Sequence, residues 1–406
     1  MDFDLSWILL GLPVAFVLGW LASRLDLRQL RMENQRAPKA YFKGLNYLLN
    51  EQQDKAIDAF IEAVQKDPDT SELHFALGNL FRRRGEYDRA VRVHEHLLSR
   101  GDLTRPDRER AQHALALDYL KAGLLDRAED ALRRLEATPF ESQARLALLA
   151  IYERSRDWPQ AAAIAQKMHD AGQGDFSTRQ AHYLCEQAVA LSAQQQWDAA
   201  RVLLQQAIDA APEAPRARME LGQLSYQLGD NALAFATLQS VMQTAPQAFG
   251  LVAGLLVKVA NASGRQTEAF ALLKSHYAQA RSLDVLEAIV AMSPAHAAGS
   301  AHIDSDFGNS AGEPNAAVQP GHSARDWYVR HLEHEPSLVA AAKWIAGEKL
   351  EHEQFHPQVQ RALDHAVKPL TRYRCAACGF EAKQHFWQCP GCQAWDSYPA
   401  RRVEEL

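Results

Sequence analysis

Four cysteines near the C-terminal end of the chain are the residues whose type and spacing point most clearly to chemistry. They form two short clusters, Cys375-Ala-Ala-Cys378-Gly and Cys389-Pro-Gly-Cys392. Two residues between the cysteines of each pair let one tight turn aim both sulfur atoms at one centre, and four thiolates complete a tetrahedral shell around a metal ion. The sequence therefore predicts a four-cysteine site for one structural metal ion, with iron and zinc both open.

The residues around the cysteines suit a small fold that is held together by metal. Gly379 and Gly391 stand where metal knuckles need open backbone angles, and Pro390 stiffens the second turn. So short a module buries too little apolar surface to fold unaided, and metal binding supplies the missing free energy. Four thiolates leave no open position for a substrate, which indicates a structural role. Electron transfer by iron and a pair of disulfides are the alternatives. The fifth cysteine, Cys185, lies in a helical apolar pattern and is interpreted as core.

One motif resembles that of an enzyme. His352-Glu-Gln-Phe-His356 matches the H-E-x-x-H pattern of zinc peptidases. Pro357 follows directly, so the helix that the motif requires is expected to end there. The sequence contains no phosphate-binding loop, nucleophile elbow or dinucleotide-binding turn. We therefore predict no catalytic residues and no enzyme. We interpret four other histidines as surface residues: His94, His96, His331 and His334.

The N-terminal region is predicted to anchor the chain in a membrane. Leu5 to Ser23 contains no charged residue, and as a helix it would extend over roughly 28 Å, about the thickness of the hydrocarbon core of a bilayer. A cleaved secretory signal is the alternative, but the basic segment that begins such signals is absent. Arginine and lysine dominate the residues that follow, so the positive-inside rule places everything after residue 24 in the cytoplasm. We expect a single-pass protein of the bacterial inner membrane, with its N-terminus in the periplasm.

The central part of the chain is repetitive. Of the 406 residues, 47% are hydrophobic and 8% aromatic, which is typical of a helical body rich in small and aliphatic residues. The net charge of −6 gives no electrostatic reason to expect nucleic acid as a partner. Gly44 recurs as Gly78 and Ala56 as Ala90, which is the 34-residue period of tetratricopeptide repeats. The small residue that opens the second helix of each repeat marks seven units: Ala56, Ala90, Ala128, Ala161, Ala200, Ala234 and Ala269.

These features predict an all-α fold, a tetratricopeptide-repeat superhelix with an N-terminal transmembrane helix and a small C-terminal rubredoxin-like (zinc-ribbon) metal module. An eighth, split repeat is expected from helices at Tyr277 to Met292 and Asp326 to His334, followed by connecting helices near Leu338 to Gln354 and Pro357 to Val367. The predicted domains are an anchor at 1–24, a basic linker at 25–36, repeats at 37–295, a flexible insert at 296–324, connecting helices at 325–369 and the metal module at 370–406.

The first helices of stacked repeats usually form a groove that receives a segment of a partner protein. The repeat phase places a mostly basic set of side chains in the groove of the second and third units, which favours an acidic peptide; a solvated helix face is the alternative. The predicted groove residues are Asn79, Arg82, Arg83, Arg110, His113 and Lys121.

A third class of function is nucleic-acid binding by the C-terminal module, which combines basic and aromatic residues. Basic residues are found at Arg372, Arg374, Lys383, Arg401 and Arg402, beside the aromatic residues Phe386, Trp387, Trp395 and Tyr398. We expect the aromatic residues to form the core of the module and its docking face against the last helices.

An anchor facing the cytoplasm, a repeat array and the terminal cysteine module, followed by Trp395, occur in this order. The order resembles that of the lipopolysaccharide assembly protein B family (LapB, also called YciM), over essentially the whole chain. The module itself is similar to rubredoxin-type knuckles, although Cys392-Gln393 stands where many have Cys-Gly.

This resemblance implies an inner-membrane adaptor of Gram-negative bacteria without chemistry of its own. It implies that the adaptor acts with the membrane-anchored protease FtsH to promote degradation of LpxC, the deacetylase of the lipid A pathway. A regulatory inner-membrane protein and lipopolysaccharide-assembly proteins are further implied partners, and a homo-oligomer is compatible with the sequence. The four cysteines carry over as metal ligands, on a module packed against the repeats. A generic tetratricopeptide scaffold for cell-envelope assembly, with another client, is the alternative.

Overall fold

The computed structural model of the chain describes residues 16, 17, 20, 42–293, 323–348 and 353–406. It divides into two compact units, Met1–Arg156 (unit 1) and Asp157–Leu406 (unit 2), which are described separately. Among the described residues, no helix combines the length and the apolar character needed to cross a membrane. The predicted anchor, apart from three of its residues, and the insert at 296–324, apart from its last two, lie outside the described part of the chain.

Unit 1 consists of helices that pair in sequence order, as tetratricopeptide repeats do. Its helices are α1 (residues 42–49), α2 (Gln53–Lys66), α3 (Ser71–Arg84), α4 (Tyr87–Ser99), α5 (Arg105–Ala122), α6 (Leu125–Arg133) and α7 (Glu141–Ser155). Gly85 and Gly123 terminate α3 and α5 with φ angles of +84° and +78°. These left-handed angles are accessible to glycine at little cost, so the chain can reverse directly into the next helix.

Unit 2 consists of paired helices followed by a small β-structure. Its helices are α8 (Trp158–Asp170), α9 (Ser177–Ala193), α10 (Trp197–Ala210), α11 (Pro215–Gln227), α12 (Asn231–Thr244), α13 (Phe249–Ser263), α14 (Gln266–Gln279), α15 (Leu283–Ala291), α16 (Ala324–Leu332), α17 (Leu338–Ala346) and α18 (His356–Val367). Strands β1 (Tyr373–Arg374) and β2 (Glu381–Ala382) then pair antiparallel, with Tyr373 opposite Ala382.

The helix seams lie where the repeat period predicts them. All seven alanines that mark the second helices are 0% exposed, so each occupies a position where a larger side chain would hold the two helices apart. The paired helices also approach closely one turn after these alanines, at Phe60 and Leu238. A Cβ on Gly44 would lie 2.8 Å from the Phe60 ring, and a Cβ on Gly222 would lie 2.7 Å from Leu238. The tetratricopeptide prediction is confirmed within each unit.

The split eighth repeat has other boundaries than predicted. Tyr277 belongs to the last turn of α14, and the next helix begins only at Leu283. The sequence between them contains neither glycine nor proline, so no helix-breaking residue marks the end of α14. After the insert, Ser323 and Asp326 cap α16 reciprocally, which is a strong helix start. Trp327 of α16 then packs edge-on against Tyr277, with 6.1 Å between ring centres.

Of the two connecting helices, the first is shorter than predicted and the second is confirmed. The first ends at Ala346 instead of Gln354, whereas α18 covers the predicted Pro357–Val367 and begins one residue earlier, with Pro357 in its first turn. Proline fits there because the first amide groups of a helix have no partner within the helix. No residue of α18 is buried, so this helix contributes little to the core.

Candidate metal centre and its docking surface

The four predicted metal ligands lie on two turns with the same hydrogen-bond pattern. The amide of Gly379 donates to the carbonyl of Cys375 at 2.9 Å, and the amide of Gln393 donates to the carbonyl of Cys389 at 2.8 Å. Both turns end in left-handed backbone, with φ of +78° at Gly379 and +62° at Gln393. The local sequence therefore forms two knuckles that aim their cysteines at one point.

The second knuckle differs in one detail from the sequence-based prediction. The sequence favours Gly391 as the source of the open backbone angle, but Gln393 has it. Gly391 lies outside the left-handed region, and a Cβ there would meet Phe380 at 3.4 Å, an ordinary van der Waals distance. A left-handed glutamine costs roughly 1 kcal/mol relative to glycine, and the surrounding knuckle holds it in place.

The sulfur atoms have the spacing of a tetrahedral site. The Sγ atoms of Cys375 and Cys392 are 3.8 Å apart and those of Cys378 and Cys389 are 3.7 Å apart, and all four lie within 4.8 Å of one another. Metal–sulfur bonds of about 2.3 Å in a regular tetrahedron place sulfur atoms about 3.8 Å apart. The predicted four-cysteine site for one structural metal ion is confirmed, and its thiolates suit iron and zinc equally.

Hydrogen bonds favour the thiolate form at Cys375. Burial opposes ionisation of Cys375, but its interaction with the Ser397 hydroxyl and hydrogen bonds from the amides of Cys378 and Ala377 lower its pKa to about 6. At Cys378 the amide of Phe380 acts in the same direction, but burial and hydrogen bonds with the other cysteines raise the pKa. The amide of Gly391 lies 3.4 Å from the Cys389 sulfur. When bound, the metal would link the two knuckles and thereby stabilise the small fold; with four sulfur ligands it would offer no position to a substrate.

The hairpin side of the module binds α15. The hydroxyl of Tyr373 donates to Asp284 at 2.7 Å, and the guanidinium of Arg402 donates to the same carboxylate at 2.9 Å. Arg402 also pairs with Glu287 at 3.1 Å. Burial and the neighbouring Asp284 raise the pKa of Tyr373, so its hydroxyl remains a donor at neutral pH.

The second knuckle binds further back along the array. Trp395 stacks on His182 of α9, with ring centres 4.8 Å apart, and Asp396 accepts a hydrogen bond from the same imidazole at 2.8 Å. The sequence predicts an aromatic docking face against the last helices, but the observed face reaches α9 and Arg216 of α11. The contact between Trp395 and His182 could not be predicted, because no local sequence pattern links residues so far apart in the chain.

The C-terminal tail caps two helices. The carboxylate of Glu405 accepts a hydrogen bond of 2.7 Å from the amide of Leu283, at the N-terminus of α15. The carboxylate of Glu404 accepts hydrogen bonds from the amide of Val339 at 3.1 Å and from the Ser337 hydroxyl at 2.7 Å, at the N-terminus of α17. Carboxylates at these positions satisfy free amides and interact favourably with the helix dipoles. Sequence reasoning missed both, because a cap from a distant segment leaves no local pattern.

Two arginines of the predicted groove, Arg82 and Arg110, form ion pairs with acidic residues of unit 1. Arg82 pairs with the fully buried Asp118 at 2.9 Å and contacts Asn79. Arg110 pairs with Glu72 at 2.6 Å and lies over the Phe75 ring. These ion pairs remove two of the four positive charges on which the basic-groove prediction rests.

The other three members of the set differ in exposure. His113 stacks on Phe140, with 4.8 Å between ring centres, and burial lowers its pKa. Arg83 and Lys121 are exposed. The assignment of the groove to a partner stays a prediction, and Arg83 and Lys121 are the cations best placed to meet one.

Two of the histidines interpreted as surface residues are buried. His94 is 0% exposed, and its Nδ1 lies 2.5 Å from Asp118. His331 is 2% exposed, and its Nδ1 accepts a hydrogen bond of 2.6 Å from the hydroxyl of Tyr277. The prediction is wrong for both because these histidines occupy positions of the helix seams, where the period requires a side chain of any type to be buried. His96 and His334 are exposed, as predicted.

The described residues of the H-E-x-x-H segment do not share one α-helix, because Glu353–Phe355 form a short 3-10 turn before α18. His352 lies outside the described residues, and His356 opens α18 with its Nε2 3.2 Å from the carbonyl of Ile345. Within the described part of the chain, the four cysteines are the one group of side chains arranged as metal ligands. Cys185 is buried, and burial raises its pKa, as expected for a core thiol.

Several basic residues of the cysteine module are paired within the protein. Arg372 and Arg374 both pair with Glu381, and Arg402 is held by α15. The aromatic residues Phe386 and Tyr398 lie in the core of the module. These contacts leave little of the predicted nucleic-acid surface available.

Comparison with known proteins gives consistent matches. Residues 373–398 match the sequence model described as rubredoxin metal binding domain, and residues 73–109 and 185–249 match tetratricopeptide repeat models. Lipopolysaccharide assembly protein B of Escherichia coli strain K12 is 30% identical over 411 residues, covering 99% of this chain and 100% of the relative. The protein of the same name from Haemophilus influenzae is 27% identical over 405 residues, covering 96% of each.

Among solved structures, a tetratricopeptide repeat protein from Parabacteroides merdae is 17% identical, with a TM-score of 0.32. It covers 64% of this chain and 99% of its own.

Proposed function

The chain belongs to the lipopolysaccharide assembly protein B family, and on this premise we propose that it is an adaptor in lipopolysaccharide assembly that binds other proteins. The observation that carries the proposal is the match to this family over essentially the whole chain, with repeats and a cysteine module in the same molecule. Both parts favour binding over catalysis. Repeat helices present extended surfaces to partners, and a metal ion held by four sulfur atoms lacks an open position.

The finer proposal concerns the client and the membrane. The uncharged segment from Leu5 to Ser23 would anchor the chain in the inner membrane, and the basic residues after it would keep the repeats on the cytoplasmic side. There the adaptor would hold the deacetylase LpxC beside the membrane-anchored protease FtsH. Tethering raises the local concentration of a bound client without new contacts to the protease. A regulatory inner-membrane protein would restrain the adaptor when lipopolysaccharide is scarce.

Depletion of the protein in its own bacterium tests this proposal. We expect the lifetime of LpxC to lengthen and lipopolysaccharide to accumulate, and expression of the intact chain from a plasmid should reverse both. An unchanged LpxC lifetime, together with defects in the cell envelope, would instead favour a scaffold for another client.

The client surface is proposed to include the exposed cations of the unit 1 groove. The variant Arg83→Glu/Lys121→Glu should weaken LpxC binding at least about tenfold if a carboxylate faces each residue. The matched control, Arg92→Glu/Arg134→Glu, makes the same charge change at two other exposed arginines, outside the predicted groove. Equal affinities for the two variants would place the client elsewhere. Substitution of Arg82 is unsuitable, because it would leave Asp118 without its partner.

The membrane topology has its own test. Protease added to spheroplasts should leave the repeats intact, and lysis should make them sensitive. Digestion of the repeats in intact spheroplasts would contradict the cytoplasmic placement, whatever the client.

A further inference from the structure

The cysteine module lies along one repeat position on four successive first helices and contacts its residue on three of them. His182, Arg216, Gly250 and Asp284 lie near the starts of α9, α11, α13 and α15 and follow one another at the 34-residue repeat period. His182 and Asp284 bond to the module, Arg216 lies beside Trp395, and Gly250 lines a cavity of about 460 Å³ together with Ala400 and Arg401. Together these four residues form a column on the first helices of unit 2.

The best-defined part of the column is a clasp formed by His182 and Arg216. The imidazole of His182 stacks on Trp395 with a 17° interplanar angle and bonds to Asp396. The Arg216 guanidinium lies 5.9 Å from the Trp395 ring centre. Glu186 and Glu220 each hold it at 2.7 Å. The clasp therefore recognises an aromatic ring and the carboxylate that follows it in sequence.

Two further rings complete the site. Trp158 and Tyr183 meet Trp395 edge-on, with ring centres 6.1 and 5.9 Å away. His182 and Arg216 are both buried with the module in place. Aromatic contacts of this kind stabilise a bound ring beyond the effect of burial alone, so the site is suited to an aromatic ligand.

Presentation of the ligand depends on the metal knuckle. Trp395 pairs with Gln388, and the amide of Asp396 donates to the carbonyl of Trp387 at 2.9 Å. Both contacts bracket the turn from Cys389 to Cys392. Since so small a module needs its metal to fold, loss of the metal would remove the geometry that presents Trp395 and Asp396 together.

We propose that the His182–Arg216 clasp is a peptide-binding site in the repeat groove of unit 2, with Trp395–Asp396 as its resident ligand. When the module loses its metal, the clasp opens and accepts an external protein segment of the same chemistry, an aromatic residue followed by an acidic one. First helices are the surface that repeat proteins offer to such segments. The proposal is independent of which client the unit 1 groove binds.

The first test measures the accessibility of His182 in the full-length protein. Carbethoxylation by diethyl pyrocarbonate, followed by mass spectrometry, should modify His182 at least about tenfold more slowly than the exposed His334 while the metal is bound. Removal of the metal by a chelator should abolish this protection, and re-addition of zinc should restore it. Protection that persists after complete metal removal would overturn the proposal.

The second test supplies an external ligand. The probe is a fluorescent peptide with the sequence of residues 393–400, and the receptor is the full-length Trp395→Ala/Asp396→Ala variant, whose clasp is vacant. We expect binding at least about tenfold tighter than to the metal-loaded wild type, and loss of binding when His182→Ala is added. A peptide with alanine for the tryptophan and the aspartate should not bind. Equal binding by wild type and variant, or binding that survives His182→Ala, would overturn the proposal. The carbethoxylation of His182 in the first test uses the wild-type protein, so its result does not depend on how the variant folds.

Discussion

Gly78 and His94 touch across the seam between α3 and α4 so closely that glycine is the only residue without a clash. A Cβ at position 78 would lie 2.5 Å from two atoms of the imidazole. The ring cannot move aside, because it is fully buried and its Nδ1 is bound to Asp118.

We therefore expect Gly78→Ala to lower the free energy of unfolding by about 1–2 kcal/mol, the cost of overpacking less the gain in helix propensity. Gly254→Ala is the matched control, since it also lies inside a helix but a Cβ there meets no atom within 4 Å. It should raise stability by about 0.5–1 kcal/mol. Urea unfolding of both variants measures the difference. The substitution His94→Ala removes the imidazole, so in that background Gly78→Ala should no longer lower the free energy of unfolding. If it lowers that free energy by the same amount, the packing argument is refuted.

Asp118 lies at the centre of a buried hydrogen-bond network in unit 1. Its carboxylate has no exposed surface and bonds both to Arg82 and to His94. We expect Asp118→Asn to lower the free energy of unfolding by about 2–3 kcal/mol, because a charged hydrogen bond is lost and the guanidinium keeps no buried counter-charge. Asp130→Asn, which changes an exposed carboxylate in the following helix, should change stability by less than about 0.5 kcal/mol. Equal effects in thermal unfolding would show that the buried network is energetically neutral.

The particular residues show how far sequence reasoning reaches. The alanines of the helix seams and the four cysteines could be placed, because a period or a spacing fixes each of them locally. His94 stands one period after Phe60, so its burial could also have been inferred; its polar type led to the opposite interpretation. The break before Leu283 could not be predicted, since no breaker residue precedes it.

Contacts between distant segments are a separate case. The caps from Glu404 and Glu405, and the contact of Asp396 with His182, depend on how the chain folds back on itself. One sequence property bears on the second contact: the column of His182, Arg216, Gly250 and Asp284 at the repeat period. In the sequence alone, such polar residues are equally typical of a solvated helix face, so the period fixes their common position but does not identify what they contact.

Metal removal should loosen helix ends far from the cysteines in sequence. The amide of Val403 donates to the carbonyl of Arg372 at 2.7 Å, so the tail is attached to the residue directly before β1. Without the metal, Glu404 and Glu405 should release the amides of Val339 and Leu283. Each cap contributes about 1 kcal/mol, and we expect hydrogen exchange at these amides to rise about fivefold after chelation, as measured by mass spectrometry. Peptides from α4 in unit 1 serve as the reference; a rise there as well would indicate general unfolding.

The pH dependence of stability should include a contribution from His331. Burial lowers the pKa of this imidazole below its ordinary value of 6.5. The unfolded chain therefore binds a proton more readily than the folded one, so stability is complete above about pH 6.5 and falls as the pH drops below that value. A difference of one proton corresponds to about 1.4 kcal/mol per pH unit. His331→Gln keeps an acceptor for the Tyr277 hydroxyl and removes the titration, so its unfolding free energy should fall less steeply between pH 7 and pH 5. The comparison variant is His334→Gln, which removes an exposed imidazole beyond the end of the same helix. If the wild type and His331→Gln had the same slope, the buried imidazole would not be a source of acid sensitivity.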